Sequence, residues 1–118
     1  MKPWIGVDLD GTLAEYHGWQ GPNHIGKPIT PMVEMIKFWR AGRTEVRIFT
    51  ARVSHDGTTE SREVADQARQ AITRWCEHHL GEVLPVTNEK DYGMVELWDD
   101  RAVRVQRNQG IPCCGYGS

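Results

Sequence analysis

Trp4-Ile5-Gly6-Val7-Asp8-Leu9-Asp10-Gly11-Thr12-Leu13 is the stretch that decides the fold. A short, nearly unbroken apolar run that stops at two acids one residue apart reads as a strand buried on both faces, as in a parallel sheet, with its carboxyl end at Asp8. Asp-x-Asp-Gly-Thr followed by an aliphatic residue arises by chance in on the order of 10⁻⁴ of chains of this size. The two carboxylates are therefore candidates for chemistry before they are candidates for turn caps.

Outward from this strand the pattern alternates. Gly11 to Pro28 is rich in glycine and proline and too irregular for helix or core strand. Thr30-Pro31 predicts a helix start, a capping hydroxyl followed by proline at the first helical position. Met32, Met35, Ile36 and Trp39 then recur at helical spacing up to a stop at Gly42. Val46, Ile48 and Phe49 predict a second strand ending at Thr50. A longer helix is expected from near Thr59 to Leu80, with Val64, Ala68, Ile72, Trp75 and His79 along one face. Val83 to Val86 reads as a weak third strand, Val95 to Trp98 as a fourth and Ala102 to Val105 as a short fifth, with an irregular tail from about residue 107.

Strand and helix in alternation predict one α/β domain over 1–118, an open parallel sheet of about five strands flanked by helices. In such sheets ligands sit beyond the carboxyl ends of the strands, where strand order switches. Asp8, Asp10, Thr50 and the pair Asp99-Asp100 all fall at expected carboxyl ends, and Lys90 lies a few residues past the third strand. Adjacent carboxylates after an apolar strand repel one another, which suggests a cation between them.

These residues, in this order, resemble the motifs of the haloacid dehalogenase (HAD) superfamily. Asp8 to Leu13 looks like the first motif, Phe49-Thr50-Ala51-Arg52 the second, Lys90 the third and Asp99-Asp100 the fourth, so the resemblance spans residues 4 to about 105. It implies a Rossmann-like core of strand order 3-2-1-4-5. It also implies a magnesium-dependent phosphatase, a phosphoric monoester hydrolase working through an aspartyl-phosphate on Asp8. Asp10 would be general acid and base. Thr50, Ala51, Arg52 and Lys90 would bind the phosphate, with Thr50 and Lys90 also catalytic. Asp8, Asp10, Asp99 and Asp100 would hold Mg²⁺, with the Leu9 carbonyl as a further ligand. Dehalogenase-like members lack the second aspartate, so Asp10 points to phosphoryl chemistry.

About twenty residues between Asp10 and the first helix suit a short turn and β-flap, with Trp19 near its tip, but not a folded cap domain. An open site fits either a large substrate, such as a phosphorylated polynucleotide end or protein side chain, or a small metabolite lidded by a neighbouring subunit of a homo-oligomer; a nucleotide or polynucleotide-end phosphatase is the second enzyme reading. A non-catalytic phosphate- or protein-binding module on the same fold is the alternative from another class.

Bulk properties agree with an ordinary globular enzyme. The chain has 118 residues, 39% hydrophobic and 25% charged, with a formal net charge of -2. That size can bury a core unaided, and that charge provides no surface for gripping nucleic acid as a bulk polyanion. No signal peptide or membrane span is expected, and Cys76, Cys113 and Cys114 lack metal-ligand spacing, so the expected address is the cytoplasm. The five histidines read as structural or solvated.

Overall fold

The computed structural model describes residues 2–113. The opening apolar run forms strand β1 (Trp4–Val7), buried at every position. It lies inside a four-stranded parallel sheet of order β3-β2-β1-β4, with β2 at Glu45–Phe49, β3 at Val86–Thr87 and β4 at Met94–Trp98. Helix α1 (Thr30–Ala41) connects β1 to β2, and α2 (Thr59–Leu80) connects β2 to β3.

Period-two alternation in β2 sorts the two faces of the sheet. Val46 and Ile48 are buried with Ile5 and Val7 of β1 against Met32, Val33 and Ile36 of α1 and Ile72, Trp75, Cys76 and Leu80 of α2. Each such aliphatic or aromatic side chain contributes roughly 1.5–3 kcal/mol by leaving water. The other face carries Trp4 and Arg47, whose guanidinium lies 4.3 Å from the indole centroid. Trp4 is nonetheless fully buried, and its Nε1 donates to Asp91 at 2.9 Å. The chain from residue 88 to 93 covers it in place of a helix, because six residues suffice only to run from the end of β3 to the start of β4.

Local signals place the helices with small corrections. Thr30 is the first residue of α1 and Ile29 is the cap; Thr30 makes no capping side-chain bond, and Pro31 sits one position later than expected. In α2 the Thr58 hydroxyl accepts from the Ser61 amide at 3.2 Å, and the helix ends at Gly81 in a left-handed conformation. The buried stripe of α2 runs through Ala65, Ala68, Ala71, Ile72, Trp75, Cys76 and Leu80, so Val64 stays exposed.

Two strand expectations need correction. The third strand comprises only Val86–Thr87, since Leu84 turns into the core and Pro85 has no N–H to give a ladder. Ala102 to Val105 is not a fifth strand. Val105 bridges Pro112, and the Gln106 amide donates to the Ile111 carbonyl, so this segment folds back on itself. It spends its backbone bonds on residues 111–113, with the Cys113 amide donating to the Arg104 carbonyl, and Val103 and Val105 stay about half exposed, so β4 remains the edge. The part of the expected tail at 106–113 is this hairpin, while Cys114 lies outside the described residues. Among the described residues no helix is long and apolar enough to cross a membrane.

Candidate active site

Asp8 follows β1 directly, and its amide donates to the Trp98 carbonyl at 2.9 Å. That bond holds the carboxyl ends of β1 and β4 level, so Asp99 and Asp100, which follow Trp98, stand beside Asp8. Trp98 is fixed in turn by an edge-on contact with Trp39 of α1, ring centroids 5.0 Å apart. Asp8, Asp99 and Asp100 each offer one carboxylate oxygen within 4.8 Å of the others. The Thr12 hydroxyl reaches Asp100 at 3.3 Å and, at 3.5 Å, Asp8.

Gly11 makes this approach possible. Its φ of +85° suits glycine, and a Cβ there would stand 2.6 Å from Asp100 Oδ2. The chain then doubles back, and the Leu9 carbonyl accepts from Thr12, Leu13 and Ala14 amides. This inward turn removes the Leu9 carbonyl as a metal ligand. Beyond it, residues 13–15 and 27–29 pair antiparallel to form the neck of the flap, through Glu15 N to Lys27 O and Ile29 N to Leu13 O.

Crowding three carboxylates has an electrostatic consequence. Burial, then the charge of Asp99 and the contacts and charge of Asp100, push the Asp8 carboxyl up from 3.8 to about 7. A group of three carboxylates that raises the affinity of its most buried member for a proton is also suited to a cation.

Asp10 is held differently. Both its oxygens accept from Arg52, Nε to Oδ2 and Nη2 to Oδ1, each at 2.8 Å. This fork places Asp10 apart from the three clustered carboxylates, so its side chain is not in the metal group expected for it. Arg52 is almost fully buried, 5% exposed, and also donates to the His24 carbonyl of the flap. Thr50, 2% exposed, caps the short 3₁₀ turn Ala51–Val53 by accepting from the Arg52 amide at 3.1 Å. That turn presents Ala51 and Arg52 to the site.

The expected site residues other than Lys90 share one open cleft of about 560 Å³, lined by Asp8, Asp10, Thr50, Ala51, Arg52, Asp99 and Asp100. Lys90 instead lines a separate depression with Asp91, Tyr92 and Met94. The helix-free connection carries it away, since Asp91 is tied by Trp4 and by the Gly93 amide. The lysine expectation is corrected accordingly: the cations lining the cleft are Arg52 and Arg101. None of the five histidines lines it.

Reading by motif missed Tyr16, Trp19, Ser54, Val64 and Arg101, which complete the cleft wall. Arg101 and Ser54 had a local signal, lying next to the acidic pair and just past the second motif. Tyr16 and Trp19 arrive from the flap and Val64 from α2.

No protein-family model matches the chain, and no curated protein does. A solved structure of a conserved protein from Bacteroides thetaiotaomicron is similar, with a TM-score of 0.57 and 21% identity over 87% of this chain and 79% of that one. At that identity the likeness shows the fold alone, an open α/β sheet.

Proposed function

We propose that the cleft is the active site of a phosphatase that hydrolyses phosphate monoesters through an aspartyl-phosphate on Asp8. The observation that carries this reading is the convergence of Asp8, Asp99 and Asp100 within 4.8 Å at the ends of two neighbouring strands. Three carboxylates without a nitrogen or sulfur donor make a hard, all-oxygen set, which fits Mg²⁺ and does not fit zinc. Such an ion would supply Lewis-acid neutralisation of the phosphate dianion and of the attacking carboxylate.

The chain's own groups do the remainder. An Asp8 oxygen attacks phosphorus in line with the ester bond; the new oxygen–phosphorus bond forms as the old one breaks. Asp10 gives its proton to the departing oxygen, then takes one from the water that splits the acyl phosphate. Because Arg52 occupies both Asp10 oxygens, one of these bonds must open and that oxygen take up a proton from water before Asp10 can act as acid. Arg52 and Arg101 supply the positive charge that the resemblance assigns to lysine. Thr50 contributes a hydroxyl proton that its cap bond leaves free. The cytoplasm is the setting we assign, on the reading of the cysteines above.

Turnover of an aryl phosphate with Mg²⁺ tests this. Asp8→Asn should lose at least ~10³-fold in kcat and Asp10→Asn ~10²–10⁴-fold, the latter more severely on alkyl esters. Undiminished turnover in Asp8→Asn removes the nucleophile. A second reading, a non-catalytic phosphate-binding module, is favoured by the Arg52 hold on Asp10 and by Lys90 lying elsewhere. Mg²⁺ binding without phosphate release from any ester would select it.

A further inference from the structure

Part of the cleft wall is aromatic and apolar, and the phosphate chemistry does not use it. Tyr16 and Trp19 come from the flap and Val64 from α2; they are 41%, 53% and 43% exposed, and all three line the cleft that holds Asp8. Large apolar side chains left in water beside a reactive group mark a contact surface for a ligand. Trp19 is not loose. The Arg52 guanidinium lies 5.0 Å from its ring centroid and is itself fastened to Asp10 and to the His24 carbonyl. One face of the indole is thereby backed by a fixed cation, and more than half of the residue still meets solvent.

The flap is held as firmly at its base. The Gly26 carbonyl accepts from Trp75 Nε1 of α2 at 3.0 Å. A side chain at Gly26 would collide with the Glu15 carbonyl oxygen, so the two arms of the flap touch backbone to backbone. The aromatic pair therefore stands on a braced support, a preorganised surface that binds without a large ordering cost.

From this arrangement we propose that Trp19, with Tyr16 and Val64, forms a stacking subsite for a planar aromatic ring on the alcohol side of the substrate, so that the cleft takes a nucleotide. This rests on the phosphatase reading for the position of the phosphate beside Asp8. A base stacks on an aromatic face whatever its hydrogen-bonding edge, which suits a wall offering ring and aliphatic surface. Arg101, exposed and lining the same cleft directly after Asp100, adds a cation for the phosphate end.

Binding by the full chain carrying Asp8→Asn, with Mg²⁺ present, tests the subsite without turnover. Calorimetry should give adenosine monophosphate an affinity about 5- to 150-fold above that of ribose phosphate, the range for one stacked ring. Adding Trp19→Ala should bring that ratio to about one, leaving ribose phosphate unchanged. Adding Trp19→Phe should restore most of it. Equal affinities in the parent, or a ratio that survives Trp19→Ala, overturn the subsite. A terminally phosphorylated trinucleotide separates the two sources of such a ring: tighter binding than the mononucleotide assigns a polynucleotide end, equal or weaker binding a free nucleotide. If the ratio holds while the unsubstituted chain releases phosphate from no ester, the phosphatase reading fails and the subsite stands. If neither compound binds, both fail.

Discussion

Replacing Asp8 by asparagine should stabilise the metal-free protein above neutral pH while abolishing turnover. In the folded chain burial and the neighbouring acids hold the Asp8 carboxyl at about 7, against 3.8 when unperturbed. The folded state then binds the proton more tightly than the unfolded state does, so folding stability falls as pH rises through this window. The full interval corresponds to about 4 kcal/mol. The cleft is open to water and counter-ions, which screen the repulsion, and ~1–2 kcal/mol is the expected realised value. Asparagine keeps the shape and carries no charge, so its advantage should be small near pH 4 and should reach its plateau above about pH 7.

Urea denaturation in chelator, with both chains at about pH 4.5 and about pH 8, reads this difference. Contributions from titrating groups remote from the acidic trio cancel between the two chains, and the difference reads the trio as a unit. An asparagine variant less stable than its parent at the higher pH, or a gap independent of pH, would refute the electrostatic account of the acidic trio. Adding Mg²⁺ reverses the order. The parent should gain about 2.7 kcal/mol at a hundredfold excess over its Kd, and the variant clearly less.

Three other substitutions have distinct expected outcomes. Gly11→Ala forces a Cβ against Asp100 at a positive φ; it should cost ~1–2 kcal/mol in denaturant titrations and weaken Mg²⁺ binding with it. Arg52→Met leaves Asp10 without its partner; a loss of about 2 kcal/mol in stability is expected. Turnover should fall less for alkyl than for aryl phosphates, because Asp10 freed from Arg52 can carry the proton that a poor leaving group needs. Lys90→Ala should change kcat/KM by less than ~2-fold and stability by under ~0.5 kcal/mol, since its side chain lies outside the cleft. A large loss of turnover in Lys90→Ala would return the lysine to the mechanism.

How much of this was legible in the chain differs by element. β1, α1, β2 and α2 announce themselves because their signals are local: an unbroken apolar run, two helical periods, Pro31 at a helix start and Gly42 at its stop. The third strand was harder to read, because two residues beside a proline carry almost no periodicity. Ala102 to Val105 has the alternation of a strand but not the partner. Whether such a segment joins a sheet depends on what else it can pair with, and residues 111–113 take its backbone bonds first.

The site divides in the same way. The sequence alone determined that Asp8, Asp10, Thr50, Arg52, Asp99 and Asp100 belong together, because in a parallel α/β sheet each motif follows a strand and the strand ends are aligned by the ladder. Only the tertiary structure decided how they divide the work. It set Asp8, Asp99 and Asp100 against one another, turned Asp10 to Arg52 and carried Lys90 off along a connection without a helix. It also brought Tyr16, Trp19 and Val64 to one wall. Such choices arise from side-chain contacts between distant segments and from the length of connections across the sheet, neither of which is written in local pattern.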